Sequence, residues 1–443
     1  MPRFRFALLM LVPSCAFAQE AVVLRETFAP GYHYHVSCRV RINGELTLPD
    51  KAMKVEGQSR VEYDERVLAE KNQRVEKTIR HFRTLDFERK VGDNAQKSTL
   101  RPAVSRMVLL RHENFEIPFS DGGPLKLNEI ELVRTDVFTP ALVGLLPTEA
   151  VSRGKTWNAQ NEAIRELTDL EKIEQGSLVC RFEGVEAVVG RPQARVAFKG
   201  AIQGIGEDGP ARHDIDGFLY FDLTGRYLSY VSLKGTHYLL DNKGVPKGKV
   251  EGTFVLTRQP TQAVPELTDN AIRNLPQEPT PQNTMLLFED DEMRLKFLYP
   301  RRWRVARIDG SQMTLEEKGG NGLLITCDVA SKLPTGAQYQ QETKDWLTRK
   351  KAEVSTITQP NRVDNSPNLE HFQVEAKVDG QPVVLDYHIT RGRVGGATLA
   401  ARFTPRDASR RPIIARTAKW RMKLAMTWLG CRERLAFRQS ERC

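Results

Sequence analysis

The sequence predicts an α+β protein of two domains. A long antiparallel β-rich domain comes first, and a smaller domain mixing strands and helices follows. Three observations predict this. Across residues 178–258, β-type runs alternate with turn residues at regular intervals, the pattern of an antiparallel meander. Residues 259–283 then carry Pro260, Pro265, Pro276, Pro279 and Pro281, which interrupt regular structure and read as a semi-rigid spacer. Beyond the spacer, residues 295–305 read LKFLYPRRWRV: an alternating strand, a proline that ends it, and a second alternating run led by Trp303.

A chain of 443 residues exceeds one ordinary domain. No internal stretch approaches the roughly 18 apolar residues of a membrane helix. The net charge is +10, unevenly placed. Residues 402–443 hold twelve Lys and Arg against Asp407, Glu433 and Glu441.

In chain order, Arg3 and Arg5 followed by the apolar run 6–12 and Ala16-Phe17-Ala18 form a secretory signal, residues 1–18, cleaved before Gln19. The alternative is a lipoprotein signal with Cys15 acylated. Tyr32 to Ile42 alternates, Asn43-Gly44 suggests a tight hairpin, and residues 45–48 return. Residues 55–68 continue in strand style. Residues 70–90 are ambiguous, since Val75, Ile79 and Phe82 could make one helix face. Residues 107–117 read as strand and Asp121 to Pro124 as a turn. Residues 127–146 have helical spacing before Pro147, and 162–173 suggest a short helix. Strands are expected over 178–183, 194–202, 215–223, 227–239 and 249–257, with turns at Gly190-Arg191-Pro192, Gly206 to Pro210, Thr224-Gly225 and Asn242 to Gly244. Phe218, Tyr220, Leu223, Tyr227, Ser229 and Val231 are expected to share one side of a curved sheet. The first domain, residues 19–258, resembles in architecture the periplasmic lipoprotein-carrier half-barrels, in which one sheet folds around helices.

After the spacer come strands at 313–317 and 322–330. A helix is expected around Tyr339, Thr343, Trp346, Leu347 and Lys350. Paired strands 372–378 and 383–390 are joined at Asp379-Gly380, a strong hairpin signal. A last strand, 398–403, precedes an amphipathic helix over 413–428 and a basic tail, 429–443. With Tyr299-Pro300-Arg301-Arg302-Trp303 as its opening turn, the second domain, residues 284–428, resembles the PsbP-like fold over roughly 289–428, an antiparallel sheet between helices. That resemblance implies a binding or assembly role without a shared active site. It transfers no functional residues.

Tested for chemistry, the motifs mostly reduce to structure. Gly204-x-Gly206-x-x-Gly209 is followed by Pro210 and another β run, so it reads as a hairpin turn and not a dinucleotide site. Gly154-Lys155-Thr156 lacks the first glycine of a phosphate loop, because position 149 is Glu149. Ser152 and Lys155 satisfy S-x-x-K without a matching second motif. His33 and His35 share a strand face but have no further ligand in view. Asp214 and Asp216 share a face with His213 opposite. Cys38, Cys180 and Cys327 sit in strand-like runs and read as buried free thiols. Cys431 and Cys443 are free to pair in an oxidising compartment.

The expected function is non-catalytic binding or assembly in the cell envelope, secreted or periplasmic. An envelope protein, an apolar ligand or an anionic surface would be the partner, and neither nucleic acid nor a cofactor is expected. Arg406, Arg410, Arg411, Arg416, Lys419, Arg432, Arg434, Arg438 and Arg442 would meet the anionic surface. The rival is a hydrolase centred on His213, Asp214 and Asp216.

Overall fold

The computed structural model describes residues 21–48, 51–112, 115–363, 366–392 and 395–404. The signal segment, the 413–428 helix, Cys431, Cys443 and all the basic residues named above as meeting an anionic surface lie outside them. The described chain is mostly antiparallel β-sheet and forms two compact units. The first holds residues up to Arg101, Val108–Glu116 and Leu132–Asn274. The second holds Pro102–Met107, Ile117–Glu131 and the chain from Leu275 on.

Strands β1 (His33–Leu48), β2 (Lys51–Lys71), β3 (Arg74–Val91), β4 (Asn94–Thr99), β5 (Arg106–His112), β6 (Phe115–Ser120), β7 (Thr156–Asn158), β8 (Leu170–Val188), β9 (Arg191–Gly206), β10 (Gly209–Asp222), β11 (Tyr227–Leu240) and β12 (Pro246–Pro260) build one sheet. Its order is β6-β5-β3-β2-β1-β12-β11-β10-β9-β8-β7, with β4 beside β3. The path does not close on itself among the described residues. One face carries Tyr34, Val36, Cys38, Val61, Tyr63, Phe198, Leu219, Val231 and Leu256, all at most 1% exposed. The 3₁₀ segment Thr139–Leu145 and the helix α2 (Asn161–Thr168) lie in the chain between β6 and β8. Helix α1 (Leu127–Arg134) precedes them.

Several expectations need correction. The Asn43-Gly44 turn does not form: β1 runs through to Leu48 and pairs with β2 without a register break. Gly44 instead serves close packing, since a Cβ there would meet the Lys249 carbonyl oxygen of β12. Residues 70–90 are strand, not helix. Tyr63 pairs with Phe82 and Arg66 with Ile79 in one unbroken register, so alternation turns Ile79 to the face opposite Phe82. Both faces are buried here, with Ile79 1% and Phe82 4% exposed. That mixes two strand faces into an apparently helical spacing. The 127–146 helix breaks after Arg134 and resumes as the 3₁₀ segment. The aromatic side also splits. Phe218, Tyr220 and Tyr230 contact one another, whereas Leu219 faces Val231 on the buried side.

The turns at Val189-Gly190 and Asp379-Gly380 have positive φ at both positions, the conformation whose twist suits a two-residue hairpin. Gly204 to Gly209 is the β9–β10 hairpin. Residues 260–274 stay with the first unit. Arg66 donates to the Leu267 carbonyl at 2.9 Å and pairs with Asp269. Leu267 is fully buried, just before helix α3 (Asp269–Ile272).

The second unit pairs β13 (Leu286–Asp290) with β14 (Leu295–Tyr299) as a hairpin. Its larger sheet comprises β15 (Trp303–Asp309), β16 (Gln312–Glu317), β17 (Gly322–Val329), β18 (Glu353–Ile357), β19 (Asn361–Val363), β20 (Ser366–Val378), β21 (Gln381–Arg391) and β22 (Gly395–Phe403). The order is β15-β16-β17-β22-β21-β20-β18, with β19 on β20. Helix α4 (Gly336–Arg349) begins with a capping box between Thr335 and Gln338, which satisfies two otherwise orphaned backbone donors. It lays Leu347 and Tyr339 on Phe372, Val374, Leu385, Tyr387 and Ile389. Phe372 and Tyr387 stack at 4.7 Å. Segment 117–131 belongs here as well: Leu287 donates to the Leu125 carbonyl at 2.8 Å, and Lys126 pairs with Glu289 at 2.9 Å.

Candidate functional site

Strand alternation builds three groups of side chains. The first is a buried ionic network on the inner face of the first unit's sheet. Glu65 pairs across the ladder with Arg80. Arg80 Nε lies 2.8 Å from Glu65 Oε1, and its Nη1 lies 2.7 Å from Asp136 Oδ2. Its guanidinium sits 4.3 Å over the Tyr63 ring. Tyr34 donates to Glu65. Burial works against the Arg80 charge, but Glu65, Tyr63 and Asp136 hold its pKa well above the ordinary value. A second buried pair, Arg258 with Glu26, stands beside Phe28 and Tyr34. Arg111 pairs with Glu166 at 2.6 Å and Glu116 at 3.2 Å. Arg80–Asp136, Arg258–Glu26 and Arg111–Glu166 each join a strand to chain outside the sheet, while Arg80–Glu65 and Arg111–Glu116 link strand to strand.

Beyond this network the same face lines a cavity of about 200 Å³. Val40, Ile42, Val137, Leu167, Leu233 and Phe254 supply apolar walls, and His213 and His237 stand among them. The two histidines are cross-strand partners, with His237 Nδ1 3.0 Å from His213 Nε2. Burial, then the neighbouring His237, pushes His213 down to about 3. Burial also lowers His237. Both rings are therefore neutral at physiological pH. One donates to the other, leaving further nitrogen capacity for an uncharged polar group.

Asp214 and Asp216 point to the opposite face, as alternation requires. There Asp216 pairs with Lys199 at 2.7 Å and Asp214 with Arg212 at 3.1 Å. Both line an open cleft of about 1600 Å³ with Arg41, Glu56, Lys234 and Glu251. The sheet thus separates His213 from the two aspartates. Neither cavity has a serine or cysteine among its described lining residues. His35 sits 3.1 Å from Asp64 and 3.6 Å from Glu62, while His33 is near Arg66 and Asp269. The pair shares a face, with Asp64 near both. Gly154 ends a turn before β7, with Lys155 N bonded to the Ser152 carbonyl. The anionic-surface arginines and Lys419 lie outside the described residues.

The third group was missed in the sequence. His371 and His388 are direct partners in the β20–β21 ladder, and Asp386 lies two residues from His388 on the same face. That face is opposite the one α4 covers. His371 Nε2 lies 2.5 Å from Asp386 Oδ1, and His388 Nε2 lies 3.5 Å from the same oxygen. The two imidazoles stack at 4.5 Å. Asp386 is fully buried and His388 is 7% exposed. Burial, then the neighbouring His371, pushes His388 down to about 3. Among the described residues these are the three acidic, cysteine or histidine side chains whose donor atoms converge closely enough to hold one ion. The signal for them was available: Asp379-Gly380 fixes the hairpin, and pairing outward from it sets His371 opposite His388.

No family model and no curated relative matches this sequence. Among solved structures, the chain is similar over 31% of its length to cyanobacterial PsbP from Synechocystis sp. PCC 6803. That match covers 90% of the smaller protein at 13% identity, with a TM-score of 0.24. It also matches DynF from the dynemicin biosynthesis pathway of Micromonospora chersina, over 60% of this chain and 96% of that one, at 8% identity and a TM-score of 0.17. The translocator domain of the autotransporter NalP from Neisseria meningitidis matches over 84% and 88%, at 9% identity and a TM-score of 0.11. These are weak structural likenesses, and none assigns a function. No helix among the described residues is long and apolar enough to cross a membrane.

Proposed function

We propose that this is a secreted or periplasmic binding protein of the cell envelope, whose first unit works as a half-barrel holding an apolar ligand. The second unit is a PsbP-like αβ sandwich in an assembly role. The observation that carries the reading is the apolar cavity of about 200 Å³ on the inner sheet face, with His213 and His237 in its wall. Mostly apolar walls with a few placed polar groups are the usual make-up of a small-molecule site. A ligand with a short hydrocarbon part and one uncharged polar group fits that lining. The signal-like N-terminus supports export. The basic end from Arg402 to Cys443 supports contact with an anionic envelope surface, weakening as salt rises.

The test is fluorescence titration of the exported protein with N-phenyl-1-naphthylamine, an apolar probe. The parent is expected to bind and enhance its emission. Leu233→Trp and Ile215→Trp, both at positions that line the cavity, fill it and are expected to weaken binding at least fivefold, with unchanged circular dichroism. Folded Trp variants that bind like the parent would place the ligand elsewhere. Turnover of p-nitrophenyl butyrate that disappears in His213→Asn would favour the hydrolase instead.

A further inference from the structure

We propose that His371, Asp386 and His388 form a binding site for a divalent transition-metal ion of the Zn²⁺ type in the second unit. The site needs no rearrangement of the backbone to assemble. The two histidines are facing ladder partners, and Asp386 is the next residue along β21 on the same side. Their donor atoms all lie within 4.8 Å of one another.

Burial makes the arrangement informative. Among the described residues, neither ring nitrogen of His388 has a hydrogen-bond partner, although the residue is 7% exposed. A buried imidazole whose nitrogens make no hydrogen bond is disfavoured unless something else occupies a nitrogen lone pair. A metal ion does so. It also compensates the carboxylate of Asp386, which has no exposure to water. Tyr387, Phe372 and Ile389 on the opposite face pack into the core. The strand pair that carries the three ligands is thus rigid, as a preorganised first shell requires.

The donor set selects the ion. Two imidazoles and one carboxylate suit Zn²⁺, Co²⁺ or Ni²⁺, whereas Ca²⁺ and Mg²⁺ take oxygen ligands. Bond lengths of about 2.0–2.2 Å at a tetrahedral ion put ligand atoms roughly 3.3 Å apart. The 3.5 Å between His388 and Asp386 already matches. His371 and Asp386, at 2.5 Å, must part by less than about 1 Å, again from those bond lengths. His371 is the member with access from solvent, its side chain being 33% exposed. Three protein ligands leave a further coordination position for water or another donor.

The test uses the full exported chain, stripped with chelator and dialysed against Zn²⁺. Bound metal is measured by elemental analysis, and a parallel Co²⁺ titration is followed by visible absorption. One Zn²⁺ per chain is expected, with a Co²⁺ d–d band, and Zn²⁺ should raise the unfolding midpoint. His371→Ala and Asp386→Asn should each weaken binding at least tenfold and abolish the Zn²⁺-dependent shift. His35→Ala, which alters the pairing with Asp64 in the other unit, should change neither. A parent chain that retains no Zn²⁺ overturns the proposal. So does a folded His371→Ala or Asp386→Asn variant that binds like the parent. His371 is the more exposed member, so its variant is the one expected to fold in any case.

Discussion

At the scale of single residues, the first unit stakes much on Arg80, which is 1% exposed and shared between Glu65 and Asp136. Removing one partner of a buried ion pair leaves the others uncompensated, at about 3–5 kcal/mol. Arg80→Ala is therefore expected to lower the urea midpoint sharply. Replacing Arg80 by Met together with Glu65→Gln and Asp136→Asn should cost much less, because no buried charge is then left alone. A second prediction concerns pH. In the unfolded chain His213 takes its proton near the ordinary histidine value of 6.5, but in the fold only near 3. The unfolded state binds that proton first, so stability should fall as pH drops from about 6.5 towards 3. His237 adds to the trend in the same direction. Chemical denaturation at pH 7 and pH 4.5 measures it. His213→Asn should flatten the slope, and an unchanged slope would mean that other groups set it.

Among elements, the hairpins give the sharpest tests. Val189 sits at φ 50° in the β8–β9 turn and is 98% exposed. A β-branched side chain is poorly suited to that left-handed region, so Val189→Asn should stabilise the protein by about 0.5–1 kcal/mol. Thermal unfolding of the two proteins decides it. Gly44→Ala should destabilise by about 1–3 kcal/mol, because the new methyl meets the β12 backbone. These positions also mark what sequence could and could not convey. Asp379-Gly380, Gly204 to Gly209 and the strands around them were legible, since turn residues with positive φ and period-2 alternation are local signals. Asn43-Gly44 carried the same local signal and misled, because the need for glycine there comes from a strand more than 200 residues away. Segment 70–90 misled for a related reason: burial on both faces erases the alternation that identifies a strand. The His213 separation from Asp214 and Asp216 was legible from alternation alone. The facing of His371 and His388 followed from the hairpin but required pairing two strands rather than reading one.

On the scale of the whole molecule, the two units are interleaved along the chain, with Pro102–Met107 and Ile117–Glu131 assigned to the second. A fragment beginning at Thr284 lacks the Leu125–Leu287 hydrogen bond, the Lys126–Glu289 pair and the Arg301 contact with the Pro118 carbonyl. It is expected to unfold at lower denaturant than a fusion restoring residues 117–131 at its N-terminus. Equal midpoints would show that segment to be dispensable. The free cysteines add a consequence of a different kind. Cys38 and Cys180 are buried in the first unit, and Cys327 is half-buried in the second. Burial drives Cys180 up to about 12 and Cys38 well above the usual thiol range, and burial with nearby carboxylates takes Cys327 to about 11. Sulfur without its negative charge neither attacks a disulfide nor takes up an alkylating reagent at a useful rate. Each unit thus carries its own silent clock: the pace at which iodoacetamide labels Cys180 or Cys327 reports how often that part of the native protein breathes open.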